Sequence, residues 1–134
     1  MLRMRSFLLM LSLSGLAFAA EPTTQLDLNT QASKSRQEAD RELNDVWKQL
    51  LAANADNAAL VARLTAAQKA WLAFRDAQVK ALYGEATFSA RSMCEAGVLV
   101  ELTRDRTAYL KSLLNVEVGD ICAATMAPEP KPKK

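Results

Sequence analysis

Leu64-Thr65-Ala66-Ala67-Gln68-Lys69-Ala70-Trp71-Leu72-Ala73-Phe74-Arg75-Asp76 decides how this chain is read. Wound at 3.6 residues per turn, Leu64, Ala67, Trp71, Phe74 and Gln78 fall along one stripe. Gln68, Trp71, Arg75, Gln78 and Leu82 fall along a second stripe beside it. The shared face is mixed, an indole and a phenyl ring flanked by an amide and a guanidinium. Either those polar groups pair with a neighbouring helix, or they edge an exposed site.

Working outward, the residues on either side extend the helical pattern. After the Asn54-Ala55-Asp56-Asn57 break, where Asp56 or Asn57 serves as cap, a helix is expected from about Ala58 to Tyr83, ended by Gly84. Before the break, Leu28, Ala32, Ser35, Ala39, Leu43, Val46, Leu50 and Ala53 step by three or four along one stripe. Trp47 and Leu51 widen that stripe, and Thr24 is placed to cap it. Its first turns are weakly apolar, so a frayed or late start is expected. The loop Gly84-Glu85-Ala86-Thr87 leads to a third helix expected from about Phe88 to Leu114, with Thr87 or Ser89 as cap. Its apolar set is Phe88, Met93 or Cys94, Val98, Leu99, Leu102, Tyr109, Leu110, Leu113 and Leu114. Gly97 lowers its helical propensity by roughly 1 kcal/mol relative to alanine, so a bend is expected there. Val116 to Cys122 reads as an extended segment folded back over the helices, and Pro128 to Lys134 as a disordered tail. The predicted fold is all-α, a three-helix up-down-up bundle.

The N-terminus reads as an export signal. Arg3 and Arg5 precede an apolar run from Phe7 to Phe18, and Ala17-Phe18-Ala19 supplies small residues for cleavage after Ala19. The run is too short for a membrane span. The expected product is a soluble, periplasmic or secreted single domain over residues 20–127. Seventeen basic residues include Arg3 and Arg5, so without them fifteen face fifteen acidic ones. That balance gives no support for nucleic-acid binding, which needs a basic face. Histidine is absent, and with it the commonest metal ligand and general base. No metal-ligand cluster, phosphate loop or cofactor motif is present, and the reading is of a non-enzyme.

Two constellations carry the functional question. Asn44, Gln68, Arg75, Asp76, Thr103 and Arg106 form a polar set at the core edge. As a recognition surface, its guanidinium would grip a carboxylate or a sugar hydroxyl. As structure, the same groups would be an interhelical network, because buried amides and guanidinia need partners. Trp47, Trp71 and Phe74 are the aromatic counterpart. Exposed, such rings bind sugars or proteins, but helical spacing favours a place in the core. The cysteines, Cys94 and Cys122, are the remaining pair. A helix from Cys94 to Leu114 spans about 30 Å, and the eight residues to Cys122 reach about 26 Å extended. An intramolecular disulfide then fits if the segment runs straight back along the helix; the alternative is a bridge between two chains.

Three groups of residues share a recognisable pattern. They are Ala39-Asp40 and Leu43-Asn44 with Trp47; Leu64, Ala67-Gln68, Trp71-Leu72 and Phe74-Arg75-Asp76; and Leu102-Thr103 with Arg106 and Leu110. In these residues the chain resembles a family of small exported bacterial proteins named for the lysozyme inhibitor LprI. The likeness extends from about Leu28 to Leu114. Where that family often carries a tyrosine this chain has Trp47, and two usual cysteine positions hold Gln31 and Val79. Cys94 lies about one helical turn from the third, which implies an altered disulfide framework with Cys122 as substitute partner.

The resemblance implies a binding protein that inhibits lysozyme by protein–protein contact; the candidate binding residues, Gln68, Trp71, Arg75, Asp76 and Arg106, come from the polar and aromatic constellations. The alternative is a non-catalytic adaptor of the cell envelope, bound to another protein or to peptidoglycan. A plug for a lysozyme cleft must satisfy two carboxylates, for which Ser89 or Arg91 is suited. A fixed, acidic Gly84–Arg91 loop would favour the inhibitor, and a broad exposed apolar patch around Trp71 or Trp47 the adaptor. A deep pocket with an isolated buried carboxylate would favour an enzyme.

Overall fold

A computed structural model describes residues 23–116. The expected signal peptide, Cys122 with its segment beyond Val116, and the 128–134 tail lie outside the described residues. Three helices make up the described chain: α1 (Gln25–Ala53), α2 (Ala58–Tyr83) and α3 (Arg91–Leu114). The fold is all-α.

Each boundary has a local cause. Thr24 and Asp27 close a capping box: the Thr24 hydroxyl accepts from the Asp27 amide at 3.2 Å, and the Thr24 amide donates to the Asp27 carboxylate at 2.9 Å. The Thr24 hydroxyl also donates to the Asp27 carboxylate at 2.6 Å, and this bond, together with that from the Thr24 amide, holds the Asp27 carboxyl below its ordinary pKa. These bonds also fasten the weakly apolar first turns, so α1 starts at Gln25 rather than late. Asn57, and not Asp56, caps α2, its side-chain oxygen accepting from the Leu60 amide at 3.0 Å. Gly84 ends α2 at a φ of +49°, a conformation that a Cβ would strain.

Helix α3 begins three residues later than its sequence pattern suggests. Neither Thr87 nor Ser89 caps it; Ala90 is the N-cap and contributes no side-chain bond. Phe88 stays in the connection, its carbonyl accepting from the Arg91 amide and its ring 6.2 Å from Tyr83. The helix continues through Gly97, where nothing lies within 4 Å of the position a Cβ would take.

Helices α1 and α3 pack together along most of their length. Leu28 and Ser35 share a groove with Met93 and Gly97 near one end, and Glu42 accepts from the Lys111 ammonium at 2.6 Å further along. Helix α2 meets them in the opposite order, with Gln68 opposite Arg106 and Arg75 opposite Thr103. Leu43, Val46, Leu50 and Leu110 form the buried centre, against which Trp47, Leu64, Trp71, Leu113 and Leu114 pack.

The inward face of α2 is the polar one of the two stripes. Gln68 and Arg75 are buried, whereas Phe74 on the other stripe is 51% exposed. At 100° per residue, turning Arg75 inward swings Phe74 toward solvent. Tyr109, Phe88 and Leu82 are exposed as well, so these apolar residues are not core. Thr103 and Thr107 hold the α3 seam instead, between Ala96, Leu99 and Leu110.

Leu50 and Leu110 are fully enclosed. Truncating either to alanine is expected to destabilise the fold by about 2–5 kcal/mol, while Phe74→Ala changes it by about 0.5 kcal/mol or less. Urea unfolding followed by circular dichroism measures the difference; equal losses at Leu50 and Phe74 would contradict the assigned core.

Candidate functional site

The residues singled out from the sequence converge where α2 crosses the α1–α3 pair. Helical spacing lines up Gln68, Trp71 and Arg75 on one side of α2. Arg75 reaches both neighbours: its Nη1 donates to Asp40 Oδ1 on α1 at 2.9 Å and to Thr103 Oγ1 on α3 at 3.2 Å. Its Nε lies 3.4 Å from the carboxylate of Asp76, which stands at the solvent edge. Two turns earlier, Gln68 Oε1 accepts from Arg106 Nε at 2.9 Å. The indole of Trp71 lies between the two cations, 5.4 Å from the Arg75 guanidinium carbon and 5.7 Å from that of Arg106. Arg106 also covers the ring of Tyr109 at 5.4 Å.

The electrostatics follow from that geometry. Arg75 is 9% exposed and has two carboxylates within reach, so its charge is taken from water but compensated. Arg106 has no carboxylate partner among the described residues. Partial burial pulls its pKa below the ordinary value, with Tyr109 acting the other way. The aromatic faces of Trp71 and Tyr109 take the place of a counter-ion.

All five candidate residues therefore meet in one place, with Asp76 at its outer edge. Thr103 belongs to the same network. Asn44 makes no side-chain bond to a described residue and lines a cleft of about 350 Å³ between α1 and α2, with Asp40, Trp47, Gln68, Leu72 and Arg75. Asp40, noted in the sequence only as part of the family pattern, is the partner missing from the predicted polar set. In the sequence it is one of many α1 carboxylates. Its spacing to Leu43, Asn44 and Trp47 was the available signal, since i, i+3, i+4 and i+7 share a face.

A second arrangement sits at the α2–α3 connection. Arg91 donates to the carbonyls of Gly84 and Ala86 and pairs with Glu95 at 2.7 Å. Its side chain fastens the loop instead of projecting from it. Ser89 and Phe88 remain exposed. Cys94 is half-buried one turn into α3. No group of His, Cys, Asp and Glu among the described residues is placed to hold a metal ion, and no described helix is long and apolar enough to cross a membrane.

Replacing Arg75 with methionine keeps the bulk but strands Asp40 and Thr103. It is expected to destabilise the fold by about 2–4 kcal/mol, and Thr103→Val by about 1 kcal/mol. A double-mutant cycle on Arg75 and Asp40 should return a coupling of about 1–3 kcal/mol. A coupling near zero would mean that this pair does not tie α1 to α2.

Comparison with known proteins places this geometry in a family. A protein of Rhizobium meliloti (strain 1021), itself uncharacterized, is 37% identical over 103 residues, covering 68% of this chain and 74% of that protein. No solved structure matches. The profile of the family described as "Lysozyme inhibitor LprI" matches residues 18–110, a span that includes α1, α2, their polar ties to α3 and the loop held by Arg91. The chain belongs to the LprI lysozyme inhibitor family.

Proposed function

We propose that this protein is exported and inhibits lysozyme by protein–protein contact, with the Gly84–Arg91 loop as the contacting segment. The observation that carries the reading is the immobilised loop in a chain of this family. One guanidinium bonds two loop carbonyls and is itself held by Glu95, while Phe88 and Ser89 face solvent. A loop held in one shape before binding loses less conformational entropy on docking than a mobile one. With Arg91 engaged inside the loop, the hydroxyls of Ser89 and Thr87 are left to meet the carboxylates of a glycosidase cleft, and Phe88 supplies apolar area. Glu85 is the one acidic residue of the connection, so steering toward a basic partner is slight.

The envelope-adaptor reading draws on a different observation. Ala67, Ala70, Phe74 and Ala77 leave a flank of α2 apolar and open to solvent. It ranks second because Trp47 and Trp71 are both half-buried against the core and take no part in that flank. Asp40, paired with Arg75, is not the isolated buried carboxylate that an enzyme would need.

Titrating the purified protein into hen-type lysozyme acting on bacterial cell walls should give saturable, stoichiometric inhibition. Raising the salt should alter it less than tenfold, since few charges are involved. Phe88→Ala and Arg91→Ala, each checked for helicity, should weaken inhibition about tenfold or more. An absence of inhibition at micromolar protein would overturn the reading for this type of lysozyme.

A further inference from the structure

The cleft between α1 and α2 contains hydrogen-bonding groups that the helix ties leave unused. Gln68 gives its oxygen to Arg106, and nothing among the described residues accepts from its Nε2. Arg75 engages Nε and Nη1, and nothing among the described residues accepts from Nη2. Both residues are more than nine-tenths buried, at 7% and 9% exposed. Yet no buried side-chain nitrogen or oxygen of the described residues lacks a partner, so these two donors must touch solvent. Both residues line the cleft of about 350 Å³ between α1 and α2. Two mostly enclosed residues, each with a donor that no described residue accepts from, thus line one cleft.

The remaining walls narrow the ligand. Trp47 and Leu72 offer apolar surface, and Asn44 adds an amide that bonds to no described residue. Asp40 gives Oδ1 to Arg75, while its Oδ2 has only Arg36 at 3.8 Å. An anionic ligand would use the donors but meet the Asp40 carboxylate. A cation would meet Arg75. An apolar ligand would strand both donors away from water, at a cost that packing does not return. A neutral molecule that offers hydroxyl acceptors and donors on one edge and C–H surface on the other satisfies every wall.

We propose that the α1–α2 cleft binds a neutral saccharide unit, a pyranose lying against the Trp47 indole with its hydroxyls toward Gln68, Arg75, Asn44 and Asp40. The volume admits one sugar ring with room for a substituent or a neighbouring ring, and the open side lets a longer chain continue into solvent. The site is independent of the lysozyme reading, because it lies on the order of 15–25 Å along α2 from the Gly84 loop.

The test is a heteronuclear NMR titration of the purified protein with the N-acetylglucosamine trimer, with maltotriose and, as an anion control, with acetate. The Trp47 indole and Gln68 side-chain amide signals should shift saturably with at least one sugar, with a midpoint on the order of millimolar. Which sugar binds reads whether the acetamido group is required. Asn44 is exposed and unbonded, so Asn44→Ala should fold normally and weaken binding about tenfold, the effect of one or two lost hydrogen bonds. Three results would overturn the proposal: no saturable shift with either sugar at tens of millimolar, saturation by acetate alone, or sugar-induced shifts unaffected by Asn44→Ala and lying away from Trp47.

Discussion

The Arg75 guanidinium stands where three helices meet, and the placement of α2 follows from how it is satisfied. Helices α1 and α3 have a continuous apolar seam through Leu43, Val46, Leu50 and Leu110. Helix α2 brings fewer such residues. Leu60 is its one buried apolar side chain, with Leu64 and Trp71 half-covered. A guanidinium taken from water must recover its lost hydration, and here Asp40 from α1 and Thr103 from α3 supply it. Because hydrogen bonds are short and directional, sliding α2 by one residue would break both contacts at once. Nonspecific apolar packing alone would permit such a slip.

The same constraint shapes the surface around it. Fixing Arg75 inward carries Trp71 to a position between two guanidinia and turns Phe74 outward. It also holds α2 away from α1 along Asn44 and Trp47, because the tie is made by long polar side chains rather than by close backbone approach. The cleft between these helices is therefore a consequence of using a salt bridge as the fastener. An apolar interface would have closed it.

At the far end of α2 a second arginine plays a comparable part on a local scale. Arg91 draws the carbonyls of Gly84 and Ala86 onto one guanidinium, and Glu95 one turn along α3 neutralises it. The unusual backbone at Gly84 lets the chain reverse tightly enough for those carbonyls to converge. Two long helices thus deliver a short, fixed loop to solvent. The ordering entropy of this loop is met during folding.

Much of this was legible in the sequence. Helical periodicity marked all three elements, and Thr24, Asn57 and Gly84 marked their ends, because caps and turns depend on residues a few positions apart. The Gln68, Trp71 and Arg75 alignment was visible for the same reason. What the sequence could not settle was which of two adjacent stripes faces inward, since rings at Trp71 and Phe74 made both look suitable. That choice rests on Asp40 and Thr103, which lie 35 and 28 residues from Arg75. The start of α3 was similarly hidden: no local signal says that the Arg91 side chain turns back on the loop before it. Sequence by itself determined the helices, their order and which residues share each stripe, which are matters of short-range spacing. Only the tertiary structure decided the partners, because a charge is satisfied by whatever the fold brings near it, not by its neighbours in the chain.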